Sequence, residues 1–275
     1  MINIMYAGNK KVFSQMLVSA VSVANHASDA VNFYILTMDL TNINKLYRAI
    51  DESDRLYLEN IVKLKNKDNK VIIIDALEAF NSFKFNNVNN MSLYTPYANL
   101  RLFSDLLPLP SHIIYLDTDT ICNNDIKELY DLDIENYELL AVRDVYVWGM
   151  KNKGKYFNSG VLYLNLDKIR ETHYFEKARK LCNERKMVFL DQDALNYTYT
   201  NIKLIDRKFN TIHKKFFAKY TDNVIHHCCD VRKFFLLKFK TNDIHKFKFF
   251  FKCYRPLFDE CEKYINEYKL KSENK

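Results

Sequence analysis

The stretch Ile113–Thr120, IIYLDTDT, constrains this chain more than any other. Ile113, Ile114, Tyr115 and Leu116 form a short apolar run, β-branched at its start, of the kind that makes a fully buried strand in a parallel sheet. Asp117 and Asp119 fall where that strand ends. On an extended backbone, residues two apart share a side, which brings both carboxylates to one cation or polar ligand and turns Thr118 the other way. In open α/β sheets that C-terminal edge is where ligands bind. Paired carboxylates repel, and a hard divalent cation such as Mg²⁺ or Mn²⁺ relieves the repulsion while leaving positions open for phosphate oxygens. Taken alone, the same residues also describe an acidic turn that caps a strand.

The rest of the chain supplies the sheet. Ile2, Ile4 and Tyr6 open a strand that runs into Ala7-Gly8-Asn9, a turn signal, and then into a helical stretch from Phe13 to His26. Val31 to Met38 reads as a strand, Ile43 to Leu64 as a polar-faced helix, Lys65 to Asn69 as a charged turn and Lys70 to Asp75 as a third strand. Asn81 to Asn90 reads as an Asn-rich loop. Asn99 to Leu107 reads as a helix stopped by Pro108 and Pro110, with Arg101 on it. Beyond the central strand come a short helix from Asp125 to Tyr130, a strand from Leu139 to Asp144 and another within Tyr156 to Leu166. Asp167 is expected to cap a helix to about Arg185. Asp191-Gln192-Asp193 is expected to cap the next, with Ala194, Leu195 and Tyr197 on its apolar side. Val224-Ile225 is a late strand that leads into His226-His227. Strands alternating with helices predict an α/β fold with a mostly parallel sheet.

The 275 residues fit one large α/β domain, and 15% aromatic content with four glycines and four prolines excludes a disordered or repetitive chain. The six cysteines show no C-x-x-C pair and no disulfide spacing, which fits a reducing, cytoplasmic compartment. Met1 to Ala7 is unlike a signal peptide, and no stretch approaches the roughly 18 apolar residues of a membrane span. The net charge of +7 is concentrated late. From Arg232 to Arg255, Lys and Arg are interleaved with Phe, Leu and Tyr, opposed only by Asp243. That pattern suits either an anionic bilayer surface or a solvated helix whose Phe face packs on the core. Nucleic acid is disfavoured, because no nucleic-acid motif accompanies the charge.

Further motifs join the first. YLDTD at Tyr115 to Asp119, FNSGVLYLNL at Phe157 to Leu166 and LDQDALN at Leu190 to Asn196, with the opening IMYAGNKKVF and RLFSDLLPLP, resemble family 8 glycosyltransferases in their order along the chain. These are retaining enzymes related to glycogenin and to bacterial lipooligosaccharide galactosyltransferases. The resemblance implies a single GT-A domain over residues 1–231, followed by a basic aromatic segment over 232–275. It also implies a UDP-sugar donor and a Mn²⁺ or Mg²⁺ ion. Asp117 and Asp119 would hold the metal with a late His, assigned to His227 with His226 as the alternative. Ala7, Asn9, Arg101, Thr118, Asn158, Ser159 and Arg232 would contact the donor, and Asp191 and Gln192 would lie beside the reacting anomeric carbon. The family's closing H-x-x-G-x-x-K-P-W is altered here: counted from His226, Cys229 stands for the Gly, Arg232 for the Lys and Phe234 for the Trp.

The implied activity is transfer of galactose or glucose to a glycan or glycolipid acceptor, with possible peripheral contact on an anionic membrane face. A non-catalytic sugar-nucleotide-binding protein on the same fold is the alternative. A nucleotidyltransferase lacks its Gly-rich loop, and a zinc site at His226-His227-Cys228-Cys229 lacks a second ligand pair.

Overall fold

A computed structural model describes residues 1–83, 95–144, 155–212, 223–228 and 255–273. Among the described residues nine strands form in chain order: β1 (Ile2–Ala7), β2 (Val31–Thr37), β3 (Lys70–Asp75), β4 (His112–Leu116), β5 (Thr120–Cys122), β6 (Leu139–Arg143), β7 (Phe157–Asn165), β8 (Ile202–Ile205) and β9 (Ile225–His227). Seven of them make one sheet in the order β3-β2-β1-β4-β7-β6-β8, and β5 pairs with β9 in a small ladder of its own. β1 to β4 associate in parallel, whereas β7 is antiparallel to both β4 and β6. β6 therefore runs with β4. Asp144, one residue past β6, reaches the edge that holds Asp117, and reversed β7 reaches that edge with its first residues, Phe157 to Gly160.

The helices are α1 (Phe13–His26), α2 (Glu52–Lys63), α3 (Leu77–Ser82), α4 (Lys127–Tyr130), α5 (Leu166–Glu171), α6 (Tyr174–Glu184), α7 (Leu190–Thr198) and α8 (Arg255–Glu273). They cover both faces of the sheet and enclose two apolar clusters. α2 is shorter than the sequence pattern suggested. Asp39 and Asn44 turn the chain by accepting from Thr41 N and Leu46 N, both at 2.9 Å, and the helix starts only where Asp51 and Asp54 form a reciprocal capping box. Pro96–Leu106 winds as 3₁₀ turns rather than an α-helix.

The helix expected from Asp167 to Arg185 is two helices. Asn165, not Asp167, caps α5 by accepting from Lys168 N at 3.0 Å, and His173 breaks the path with a left-handed φ of 54°. Asp193 does not cap α7 from within its own turn; its Oδ2 reaches back to Val188 N and Phe189 N at 3.0 Å each. Ala194 and Leu195 are buried as expected, but Tyr197 faces outward at 40% exposure.

The segment read as basic and aromatic ends in structure. α8 buries Phe258, Cys261 and Ile265 in the cluster that holds α1 and α2. The Tyr268 ring centroid lies 4.6 Å from that of Phe13, and its hydroxyl donates to Asp54 Oδ1 at 2.9 Å. Residues 232–254, and 84–90 of the Asn-rich loop, lie outside the described residues. Among the described residues no helix is long and apolar enough to cross a membrane, and Cys122, Cys182, Cys228 and Cys261 are buried.

Because α8 is core, Ile265→Ala is expected to cost roughly 2–4 kcal/mol in urea unfolding. A loss below about 0.5 kcal/mol, the range of surface positions, would show that α8 packs elsewhere.

Candidate functional site

β4 stops at Leu116, and Asp117–Thr120 closes a turn through Thr120 N to Asp117 O at 3.2 Å. The turn, not strand alternation, brings the two carboxylates together. Thr118 faces α1, with its hydroxyl 3.4 Å from Gln15 Oε1. A buried line of hydroxyls fixes the turn. Thr120 Oγ1 donates its proton to Asp117 O at 2.8 Å, so it accepts from Ser19 Oγ at 3.0 Å, which accepts from the Tyr6 hydroxyl at 2.9 Å.

The β5–β9 ladder then gives the two histidines different surroundings. His227 stands opposite Thr120 and His226 opposite Ile121, and Cys228 N donates to Asp119 O at 2.8 Å. His227 Nε2 lies 3.3 Å from Asp119 Oδ1 and 3.6 Å from Asp117 Oδ2, and one ligand atom from each of the three residues falls within 4.8 Å of the others. His226 is not part of this cluster. Two carboxylates and a buried imidazole suit a divalent cation that takes oxygen and nitrogen ligands. Burial works to lower the His227 pKa, but Asp119 and Asp117 outweigh it and hold it above the ordinary 6.5.

Gly160 makes room for this cluster. A Cβ there would sit 2.1 Å from His227 Cε1 and 2.8 Å from Asp117 Oδ2, while Gly160 O accepts from Asp117 N at 2.8 Å.

Arg101 is enclosed by protein groups. Nη1 donates to Ser159 O at 2.5 Å, Nη2 to Asp117 Oδ1 at 2.9 Å and Nε to Ala98 O at 3.3 Å, and Nε also lies 3.1 Å from Asp191 Oδ2. The guanidinium sits 4.2 Å above the Tyr115 ring. Burial disfavours its charge, and Asp117 and Asp191 more than restore it. Burial pushes the Asp191 carboxyl up to about 6, against the pull of Arg101. Tyr115 also donates to Asp117 Oδ1, at 2.7 Å, and burial raises its phenol well above 10, so it stays a donor.

The amides beside Asp191 are oriented by backbone N–H groups. Ser159 N donates to Gln192 Oε1 at 3.0 Å, so Gln192 Nε2 faces Asp144 Oδ2 at 3.2 Å and the Tyr156 hydroxyl at 3.3 Å. Gly160 N donates to Asn158 Oδ1 at 3.0 Å, which directs Asn158 Nδ2 to Asp144 Oδ2 and Gln192 Oε1. Asn210 Nδ2 donates to Asn158 Oδ1 at 2.9 Å. Asn196 holds α7 to the start of β7, accepting from Phe157 N at 2.8 Å and donating to Phe157 O at 2.9 Å.

These contacts bring together Asp117, Asp119, His227, Arg101, Asn158, Ser159, Asp191 and Gln192. Ala7 ends β1 and Asn9 follows it at the same sheet edge, where Asn9 Oδ1 accepts from Lys11 N at 3.2 Å. Arg232 lies outside the described residues.

The profile of glycosyl transferase family 8 matches residues 3–232. The chain belongs to that family. Lipopolysaccharide 1,2-glucosyltransferase of Escherichia coli K12 is 29% identical over 73% of this chain and 63% of its own length. Lipopolysaccharide 1,3-galactosyltransferase of Salmonella typhimurium is 27% identical over 58% of this chain and 51% of its own. The chain thus spans about half to three fifths of those relatives. The galactosyltransferase LgtC, solved with donor and acceptor sugar analogs, superposes with a TM-score of 0.63 at 22% identity, over 84% of this chain and 88% of that one. The shared fold is GT-A, as the sequence resemblance implied.

Within this family 8 site, sequence reasoning passed over Tyr115, Asp144, Tyr156, Gly160, Asp193 and Asn210. Asp144 was within reach, since it directly follows a strand that runs with β4. Asn210 was not, because no local pattern joins a turn after β8 to the start of β7. Gly160→Ala is expected to weaken divalent-metal binding at least tenfold in a titration followed by circular dichroism, together with a lower Tm. Unchanged affinity would show that the His227 ring has space to move.

Proposed function

We propose that this family 8 chain transfers a hexose, galactose or glucose, from a UDP-sugar to a glycan or glycolipid acceptor with retention. The observation that supports it best is the Asp117, Asp119 and His227 cluster at the C-terminal edge of the sheet. These residues would hold Mn²⁺ or Mg²⁺, which when bound supplies positive charge to the departing diphosphate. Asn9 and Ala7 would meet the nucleoside at the end of β1, Thr118 the donor beside the turn, and Asn158 and Ser159 the sugar.

Asp191 and Gln192 flank the site without a free nucleophile between them. Asp191 is ion-paired to Arg101, and Gln192 is engaged at both ends of its amide. Retention through a covalent intermediate needs a carboxylate placed to attack the anomeric carbon. The arrangement instead favours front-face displacement, with the donor phosphate assisting deprotonation of the acceptor hydroxyl. A glycosyl-enzyme trapped on Asp191 would overturn that route.

The reading is tested by following UDP release from a panel of UDP-sugars with Mn²⁺ and no acceptor. Slow release from one donor is expected, falling at least 100-fold in Asp119→Ala and His227→Ala, with His226→Ala closer to wild type. Mn²⁺-dependent UDP binding without release, with or without candidate acceptors, would point to the non-catalytic alternative.

The sign of the pH dependence follows from His227. A protonated ring offers no lone pair at Nε2, so Mn²⁺ affinity should fall with decreasing pH from a point above 6.5. In the metal-free protein the raised folded pKa contributes stability fully present below the unfolded value and lost as pH rises through the folded one. Thermal melts across neutral pH should show that loss, with Mn²⁺ reversing it. A metal affinity flat down to pH 5 would remove His227 from the ligand set.

With His227 as the ligand, the family's H-x-x-G-x-x-K spacing lands on Lys233 rather than Arg232. Lys233→Ala should therefore raise the donor KM more than Arg232→Ala. For the proposed anionic membrane contact, α8 makes truncation at Arg232 uninformative, since it would remove core. Replacing Lys238, Lys240, Lys246 and Lys248 by Gln should abolish binding to vesicles containing anionic lipid, and unchanged sedimentation would exclude the contact.

A further inference from the structure

Asp117 carries its two oxygens in different environments. Oδ1 accepts from the Tyr115 hydroxyl at 2.7 Å and from Arg101 Nη2 at 2.9 Å. Oδ2 faces His227 Nε2 at 3.6 Å. Tyr115 and Arg101 are both buried, and the ring stacked beneath the guanidinium fixes one donor against the other. A carboxylate oxygen has about two acceptor directions, so Oδ1 is fully engaged and a single oxygen of Asp117 is left to ligate.

We propose that Tyr115 is a positioning residue that confines Asp117 to one-oxygen ligation, and so selects small octahedral cations such as Mn²⁺ and Mg²⁺ over Ca²⁺. The inference rests on the metal reading of the site given above. Ca²⁺ fills a larger, more flexible shell in which carboxylates often bind through both oxygens, whereas Mg²⁺ keeps near-ideal octahedral geometry. A second oxygen from Asp117 would have to give up two hydrogen bonds that are shortened and strengthened by charge. The hydroxyl of Tyr115 thus acts on the cation through Asp117, in the way that outer partners tune metal ligands generally.

The test is metal binding by the full chain, with free Mn²⁺ read by electron paramagnetic resonance and Ca²⁺ by competition. In Tyr115→Phe the Mn²⁺ affinity is expected to fall about tenfold, the size of effect seen when an outer partner is lost. Ca²⁺ affinity should hold or rise, so the preference for Mn²⁺ drops. Tyr163→Phe is the control. It removes a hydroxyl on the neighbouring strand β7 that donates to Tyr130 O, at the end of α4, at 2.9 Å, and should leave the preference unchanged.

A change in overall packing would move both metals together, so an unaltered ratio in Tyr115→Phe overturns the inference alone. A wild type that binds no Mn²⁺ overturns it together with the metal reading. The Mn²⁺-bound crystal structure of the wild type gives a second readout. Ligation by Asp117 Oδ2 alone supports the inference, and ligation by both oxygens overturns it.

Discussion

The constraint on which the site depends is the gathering of like charge. Asp117 and Asp119 share a turn, Asp191 is buried behind them and Asp144 lies at the same edge. Arg101 is the cation placed among them, nearly buried and in contact with both Asp117 and Asp191. A buried guanidinium loses several kcal/mol of hydration, which well-placed opposite charges and hydrogen-bond acceptors must offset. Ser159 O, Ala98 O, the carboxylates and the Tyr115 ring meet that requirement. Those partners come from the Pro96–Leu106 turns, β4, β7 and α7. One side chain thereby ties together four separate stretches of chain.

The second ordering device is the backbone. The N–H groups of Ser159 and Gly160 act as fixed reference donors, each setting which end of a neighbouring amide is oxygen. Orientation then propagates through Gln192 and Asn158 to Asp144, Tyr156 and Asn210, so the polar floor of the site has one self-consistent pattern. Hydrogen bonds joined in such a network polarise one another and rigidify the groups they link. Here the consequence is chemical: Gln192 is a held group rather than a mobile one, and a preorganised environment is the form in which charge stabilisation is most effective.

Much of this was legible in the sequence wherever the signal was local. The apolar runs at Ile2, Val31, Val71 and Ile113 fixed their own strands, because alternation and burial act over a few residues. Asp117 and Asp119 were legible for the same reason, although the cause of their convergence was a turn and not an extended edge. Elements decided by distant partners were not legible. β5 exists only because β9 pairs with it, α8 because α1 and α2 offer an apolar face, and the role of Asn210 because β7 runs backwards. Side-chain competition for the backbone accounts for the misplaced helix starts, since Asp39, Asn44 and Asn165 bind nearby N–H groups in preference to the expected caps.

The choice between His226 and His227 shows the limit most clearly. Side chains on a strand alternate, so a slip of one residue exchanges the inward and outward sets. Nothing in Val224-Ile225-His226-His227 pins the register from within. Three bonds from outside do so: Thr211 N to Ile225 O at 2.9 Å, His227 N to Thr211 O at 3.0 Å and Cys228 N to Asp119 O at 2.8 Å. With the register set, His227 is held by the turn it serves, since the residue after it bonds to Asp119 itself. Every spacing counted onward from the histidine moves with that register. Counted from His227 rather than His226, Lys233 falls at the family's lysine position and Phe235 at its tryptophan position, while Asp230 and Phe234 stand where the family carries glycine and proline.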